Sequence, residues 1–190
     1  MKIAVIGDVH AHNWKEFSKE VEVTWEDDRY KEVQTGGLML MNNRLLNTLS
    51  ALCDVRDYCQ QNGIHHILFC GDMFHARKNV DISVMMPVFQ ILDTFRRAKL
   101  NMYMIAGNHD QIDNSEFHIS SLHAFRYGEF IRIYESPSTD SLSDSHDLLA
   151  LPYCSNPSRI KEAIEASTSK ILLAHAGISG AKTGSGIFFM

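Results

Sequence analysis

Four segments of the chain share one pattern, in which an apolar run is followed at once by side chains that can bind metal ions. The polar residues after these runs are Asp8 and His10, then Asp72, then Asn108, His109 and Asp110, and finally His175. Carboxylate, imidazole and amide oxygen together suit Mn²⁺, Fe²⁺ or Zn²⁺, and one carboxylate can be shared by two ions. We therefore predict a metal site in which Asp72 bridges two ions. The remaining predicted ligands are Asp8, His10, Asn108 and His175.

Such a site has the chemistry to hydrolyse phosphoesters. Two ions roughly 3.5–4 Å apart clamp an in-line displacement at phosphorus and lower the pKa of the attacking water. His109 would protonate the leaving oxygen or stabilise charge on the phosphate, with its tautomer fixed by the neighbouring Asp110. Taken singly, each of these residues is more often a helix cap, a turn former or part of an ordinary loop. Their joint occurrence after four apolar runs favours the metal site.

The apolar runs position the ligands if they are parallel strands, because ligand sites of open α/β sheets lie at the carboxyl ends of the strands. The predicted strands are Ile3–Gly7, Ile64–Cys70, Leu100–Ala106, Phe130–Tyr134, Leu148–Leu151 and Ile171–Ala174. The first strand is apolar after Lys2, which predicts that both of its faces are covered. A turn rich in Ser, Asp and Pro separates the fourth predicted strand from the fifth.

Helical spacing of apolar residues lies between these strands. The predicted helices are Leu38–Gln61, one capped by Asp81 or Ser83 that ends near Lys99, a short one over 118–127, and one from Pro157 to about Ser167. Pro87 indicates either an irregular first turn or a later start of the second helix. Strands alternating with helices predict an α/β fold, with layered β-sheets flanked by helices.

Composition is that of an ordinary globular protein. The chain has 190 residues, of which 45% are apolar and 22% charged, so we predict one domain over residues 1–190. No apolar run approaches the ~20 residues that span a bilayer, and the N-terminus is better interpreted as a first strand than as a signal peptide. The four cysteines form no C-x-x-C pair, which favours a reduced, cytoplasmic location without membrane contact.

Charge and the remaining histidines say less about function. The net charge of −5 argues mildly against a broad nucleic-acid surface. Residues 19–37 are charge-dense and acidic, which favours a solvated, possibly mobile excursion over a lid or a partner contact. Among the other histidines, His12 is close enough to contact a metal ligand, whereas the strand-two pair is expected at an edge or in the core. Those expected at the surface are His118, His123 and His146. The glycine-rich segment after His175 lacks the glycine that a Walker loop needs before Lys182, so a plain loop is the better interpretation.

The motifs around these residues resemble the ordered blocks of the calcineurin-like metallophosphoesterases. The blocks are Gly7-Asp8-Val9-His10, Gly71-Asp72-Met73-Phe74-His75, Gly107-Asn108-His109-Asp110 and Ala174-His175-Ala176-Gly177. The resemblance extends from Met1 to about Gly177. It implies that Asp8 and His10 bind one metal ion, that Asn108 and His175 bind the other, and that Asp72 bridges them. It also makes His109 the catalytic histidine.

The second block narrows the resemblance. Protein serine/threonine phosphatases carry Asp-Arg-Gly there and Gly-Asn-His-Glu later, whereas the Gly-Asp-x-Phe-His form is similar to the DNA nucleases typified by bacterial SbcD and to phage recombination nucleases. This similarity implies a DNA nuclease of recombination or repair that uses Mn²⁺, with Fe²⁺, Zn²⁺ or Mg²⁺ as alternatives. It places His75 near the scissile phosphate, and Arg77 and Lys78 could hold DNA phosphates or simply be solvated. An SbcC-like ATPase partner and a homodimer are further implications.

One departure from the family leaves alternatives open. The family's last block, Gly-His-x-His, supplies one ligand to each metal ion, and the sequence stops before it. We therefore expect the fold to lack its last strands, with the missing ligands on a downstream segment or on another chain. Two other functions remain: a phosphodiesterase or phosphatase for a small nucleotide or phosphoester, and a binding module of this fold without catalysis.

Overall fold

The computed structural model describes residues 1–16, 18–23, 40–113, 120–126 and 128–177. Most of the predicted acidic excursion, the start of the predicted short helix, His118 and the glycine-rich segment from residue 178 onward lie outside these residues. Within them, no helix is long and apolar enough to cross a membrane.

A parallel four-stranded sheet forms the centre of the protein, in the order β1-β4-β5-β6. Its strands are β1 (Ile3–Ile6), β4 (His66–Phe69), β5 (Asn101–Ile105) and β6 (Ile131–Tyr134). Each strand pairs in parallel with its neighbour, and the register sets Ile6 opposite Phe69 and Phe69 opposite Met104. All carboxyl ends therefore lie at one edge of the sheet, where open α/β sheets place their ligand sites.

Two helices cover one face of this sheet. Helix α1 (Asn43–Gln61) begins after Asn42, whose side chain accepts hydrogen bonds from two backbone N–H groups of the first turn. Helix α2 (Ile82–Arg97) begins after Asp81, whose carboxylate accepts from the N–H of Ser83 at 2.8 Å. The buried side chains between the helices and the sheet form the main core, with Leu49 and Ile91 fully enclosed.

A second sheet packs on the opposite face. It consists of β7 (Ser138–Ser143), β8 (His146–Leu151) and β9 (Ile171–Ala174), with β7 antiparallel and β9 parallel to β8. A smaller core joins the two sheets, in which Leu68 and Tyr103 of the first sheet meet Leu148 and Leu173 of the second. Helix α3 (Pro157–Glu165) connects β8 with β9 and contacts β8. The layered α/β fold predicted from the sequence is confirmed.

Several predicted boundaries are wrong. The first helix starts at Asn43 rather than Leu38, because residues 40–42 form strand β3 (Leu40–Asn42), which pairs with β2 (Glu20–Glu22). The segment predicted as a turn contains β7, and the described part of the predicted helix over 118–127 is a 3₁₀ helix at Ser121–Phe125.

Two expectations about packing also change. Strand β1 is an edge strand whose Val5 is 65% exposed, so it is not covered on both faces. Pro87 lies inside α2 without delaying its start at Ile82. A proline at that position removes only one hydrogen bond, and its ring is buried in the core, which offsets part of the cost.

Candidate metal centre

The candidate ligands lie in loops at the carboxyl ends of β1, β4, β5 and β9. Backbone hydrogen bonds join the first two loops beyond the strand ends: the His10 N–H donates to the Asp72 carbonyl at 2.9 Å, and the Ala11 N–H to the Met73 carbonyl at 2.8 Å. The β9 loop is joined to the β4 loop because the His175 ring nitrogen Nδ1 donates to the Cys70 carbonyl at 2.7 Å. These contacts bring side chains that are far apart in sequence to one place.

Asp72 is the centre of this cluster and is 4% exposed. Its Oδ1 accepts a hydrogen bond from the backbone N–H of His109 at 2.8 Å. Its Oδ2 lies 3.6 Å from Nε2 of His10 and 3.6 Å from Nε2 of His175. One carboxylate oxygen thus faces two imidazoles from different strands at equal distance, which is the placement that a bridging carboxylate requires.

The donor set fits divalent cations on both sides of Asp72. With its Nδ1–H donated to Cys70, the neutral ring of His175 carries a lone pair on Nε2, and this atom lies 3.0 Å from the Asn108 side-chain oxygen. Two acceptors and the Asp72 carboxylate therefore face one space, an arrangement that a cation satisfies. Asp8, Asp72 and His175 form one group whose potential ligand atoms lie within 4.8 Å of one another.

Three histidines form a second group beside the first. The potential ligand atoms of His10, His75 and His109 also lie within 4.8 Å of one another. Nδ1 of His109 lies 2.7 Å from the His75 carbonyl, so its hydrogen is donated there and Nε2 stays available. Burial and then the neighbouring histidines lower the pKa of the His75 ring, and Asp72 opposes them. The Nδ1 of His10 is buried without a hydrogen-bond partner.

The backbone is strained where the ligands lie. Among the described residues, positive φ occurs at four non-glycine positions, and three of them are Asp8 (48°), His10 (45°) and Asp72 (58°). Such conformations cost about 1–3 kcal/mol each and cluster at functional sites. A side chain at Gly107 would place its Cβ 2.1 Å from Asp72 Oδ1, so only glycine allows the β5 loop to approach the carboxylate this closely.

Asp110 has a different position from the one predicted. Its carboxylate is 1% exposed and accepts four backbone N–H groups, which come from Asp72 (2.7 Å), Met73 (2.9 Å), Phe74 (3.3 Å) and Gly107 (3.0 Å). Burial raises its pKa to about 6, while these hydrogen bonds favour the ionised form. The group that orients the His109 ring is the His75 carbonyl, so Asp110 holds two loops together instead of acting in a dyad with His109.

The basic residues and the smaller features complete the site. Arg77 is half-buried and Lys78 exposed in the loop that follows His75, and their contact with DNA stays a prediction. His12 contacts Trp14 and His75 through its ring. Sequence reasoning missed Trp14, although its place four residues after His10 in the same loop was a usable signal.

Comparison with known proteins agrees with this geometry. Residues 1–189 match the model of the family described as calcineurin-like phosphoesterase. Exonuclease subunit 1 of Enterobacteria phage T4 is 25% identical over 126 residues, a stretch that covers 65% of this chain and 37% of that protein. The matched stretch is thus little more than a third of the length of this curated relative.

Proposed function

The chain belongs to the calcineurin-like phosphoesterase family, and from that premise we propose that it is a DNA nuclease subunit that uses two divalent metal ions. The family supports hydrolysis of phosphoesters with divalent metals. The observation that carries the two-metal proposal is Asp72 Oδ2 at 3.6 Å from both His10 Nε2 and His175 Nε2. Asp8 and Asn108 complete the ligand set.

Each side chain has a defined task in this proposal. When bound, the ions would activate a water and offset the charge of the phosphate. Asp72 keeps one oxygen on the His109 N–H, which fixes the carboxylate so that the other faces both groups of ligands. Because the His75 carbonyl takes the Nδ1–H of His109, the proton exchanged with the leaving oxygen is held at Nε2.

Two observations favour DNA over a small phosphoester. The His75 ring lies 5.2 Å from that of His109, so the second histidine of the Gly-Asp-x-Phe-His motif is beside the proposed catalytic one. The matched relative is named as an exonuclease subunit. We further propose Mn²⁺ as the metal, Arg77 and Lys78 as phosphate contacts, a partner subunit of the ATPase type, a homodimer and a cytoplasmic location.

A cleavage assay tests this function. The full-length protein is incubated with Mn²⁺ and end-labelled single- or double-stranded DNA, with a small phosphomonoester and a non-nucleotide phosphodiester as competitors. We expect DNA cleavage that His109→Ala lowers by about 10²–10⁴-fold. The matched control is His65→Ala, an exposed histidine at the opposite end of β4. Faster hydrolysis of the small esters than of DNA would contradict the nuclease assignment, and loss of activity in the control would invalidate the role of His109.

A further inference from the structure

Trp14 is an unusually exposed aromatic side chain beside the candidate metal centre. It is 50% exposed, and the other large aromatic with comparable exposure in the described part of the chain is Tyr58 at 60%. Tyr58 lies near the end of α1, which precedes the amino end of β4, so it is at the sheet edge opposite the site. An indole left half in water normally has a contact to make outside the protein.

The backbone of Trp14 is held in place from three directions. Its N–H donates to His12 Nδ1 at 3.2 Å, and its carbonyl accepts from Asn42 Nδ2 at 2.7 Å and from Ser18 Oγ at 2.5 Å. The Asn42 contact connects the loop to the start of α1. The indole is thus presented from a fixed position, so little ordering entropy is lost when a planar group binds it.

The Trp14 ring also has a fixed relation to the proposed reacting groups. Its centroid is 4.1 Å from that of His75 at an interplanar angle of 75°, and 4.9 Å from that of His12. His75 in turn lies 5.2 Å from His109. The path from the indole to the proposed catalytic ring is therefore two ring contacts long, within the span of a nucleotide.

We propose that Trp14 is a stacking platform for the nucleobase next to the scissile phosphate. This inference rests on the proposed function and names its substrate more closely. Aromatic side chains stack on any base, because every base has a π-face, so the contact tolerates sequence. A base within a duplex already stacks on its neighbours, so the platform selects an unpaired nucleotide: a single strand or a frayed end.

The test removes the base and the indole separately and together. One oligodeoxynucleotide carries normal bases, and two others carry a tetrahydrofuran abasic residue on the 5′ or the 3′ side of the mapped cleavage position. On the normal strand, Trp14→Ala raises KM by roughly 5- to 150-fold with a smaller effect on kcat. On one of the abasic strands wild type has the raised KM, and Trp14→Ala adds nothing. Trp14→Phe restores most of the affinity, and Tyr58→Ala is the control that leaves KM unchanged.

A binding measurement keeps the inference separate from catalysis. The chain has two tryptophans, so in a Trp25→Phe background the fluorescence reports Trp14 alone. Stacking predicts quenching by the normal oligonucleotide and much weaker quenching by the abasic one. If no DNA is cleaved but base-dependent quenching occurs, the nuclease proposal fails and the platform stands. If DNA is cleaved, while Trp14→Ala is neutral and quenching is equal with and without the base, the platform is refuted and the nuclease proposal stands.

Discussion

Replacing Asp110 by asparagine tests how the loops of the metal centre are held together. Asp110 Oδ2 accepts the N–H groups of Asp72 and Gly107, and Oδ1 accepts those of Met73 and Phe74. The asparagine amide keeps one oxygen and hence one pair of these bonds. Its NH₂ group then faces the two N–H donors of the other pair, which become unsatisfied in a site with 1% exposure.

The expected magnitude follows from those two lost contacts. A hydrogen bond to a charged group contributes about 1.5–3 kcal/mol, and a buried donor without a partner loses a similar amount. Two such losses lower the free energy of unfolding by about 3–6 kcal/mol. Because the pKa of Asp110 is raised to about 6, the comparison is made at about pH 8, where the wild-type carboxylate is ionised.

Urea denaturation followed by circular dichroism measures the effect in metal-free buffer, so that loss of metal does not contribute. The matched control is Asp144→Asn, an exposed aspartate in the turn between β7 and β8, which we expect to stay within about 0.5 kcal/mol of wild type. A change of under about 1 kcal/mol for Asp110→Asn would refute the argument that this carboxylate holds the loops together.

Three further predictions concern other parts of the molecule. Gly107→Ala places a Cβ 2.1 Å from Asp72 Oδ1 and should weaken Mn²⁺ binding at least about tenfold by titration calorimetry, and wild-type affinity would contradict the close approach. Glu135→Gln should lower unfolding free energy by about 1–2 kcal/mol at neutral pH. Burial would raise the pKa of Glu135, but hydrogen bonds, including one from His123, hold it below its ordinary value, so urea midpoints of variant and wild type should converge below about pH 4; a constant difference would oppose this. Leu49→Ala should lower the free energy of unfolding by about 2–5 kcal/mol in urea denaturation, and a loss under about 1 kcal/mol would mean that α1 packs loosely.

The strands that carry the ligands were predictable because each is a short apolar run with a polar stop. The predicted Ile171–Ala174 agrees with β9, and the predicted Ile64–Cys70 contains β4. The family resemblance of the motifs is likewise confirmed. The β2–β3 ribbon escaped prediction because its strands are three residues long and pair Glu20 with Asn42 across 22 positions of sequence. Strand β7 was missed because its six residues include one buried apolar side chain, Leu142.

The candidate site was predictable in its residue types and less so in its contacts. Side-chain chemistry at strand ends pointed to the carboxylates and histidines that the fold brings together. It could not reveal that Asp110 accepts backbone N–H groups up to 38 residues away, since a backbone donor leaves no mark in the sequence. The positive φ of Asp8, His10 and Asp72 and the exposure of Trp14 also depend on tertiary packing.

The stoichiometry of bound Mn²⁺ tests the central claim, that Asp72 bridges two ions, most directly. The full-length protein and its variants are equilibrated with Mn²⁺ by dialysis, and metal per chain is measured by elemental analysis. We predict about two ions per chain for wild type, for His109→Ala and for the control His65→Ala. Asp72→Ala should lose both ions while its circular dichroism spectrum stays native. An Asp72→Ala protein that keeps two ions, or a wild-type protein that binds one, would contradict the account.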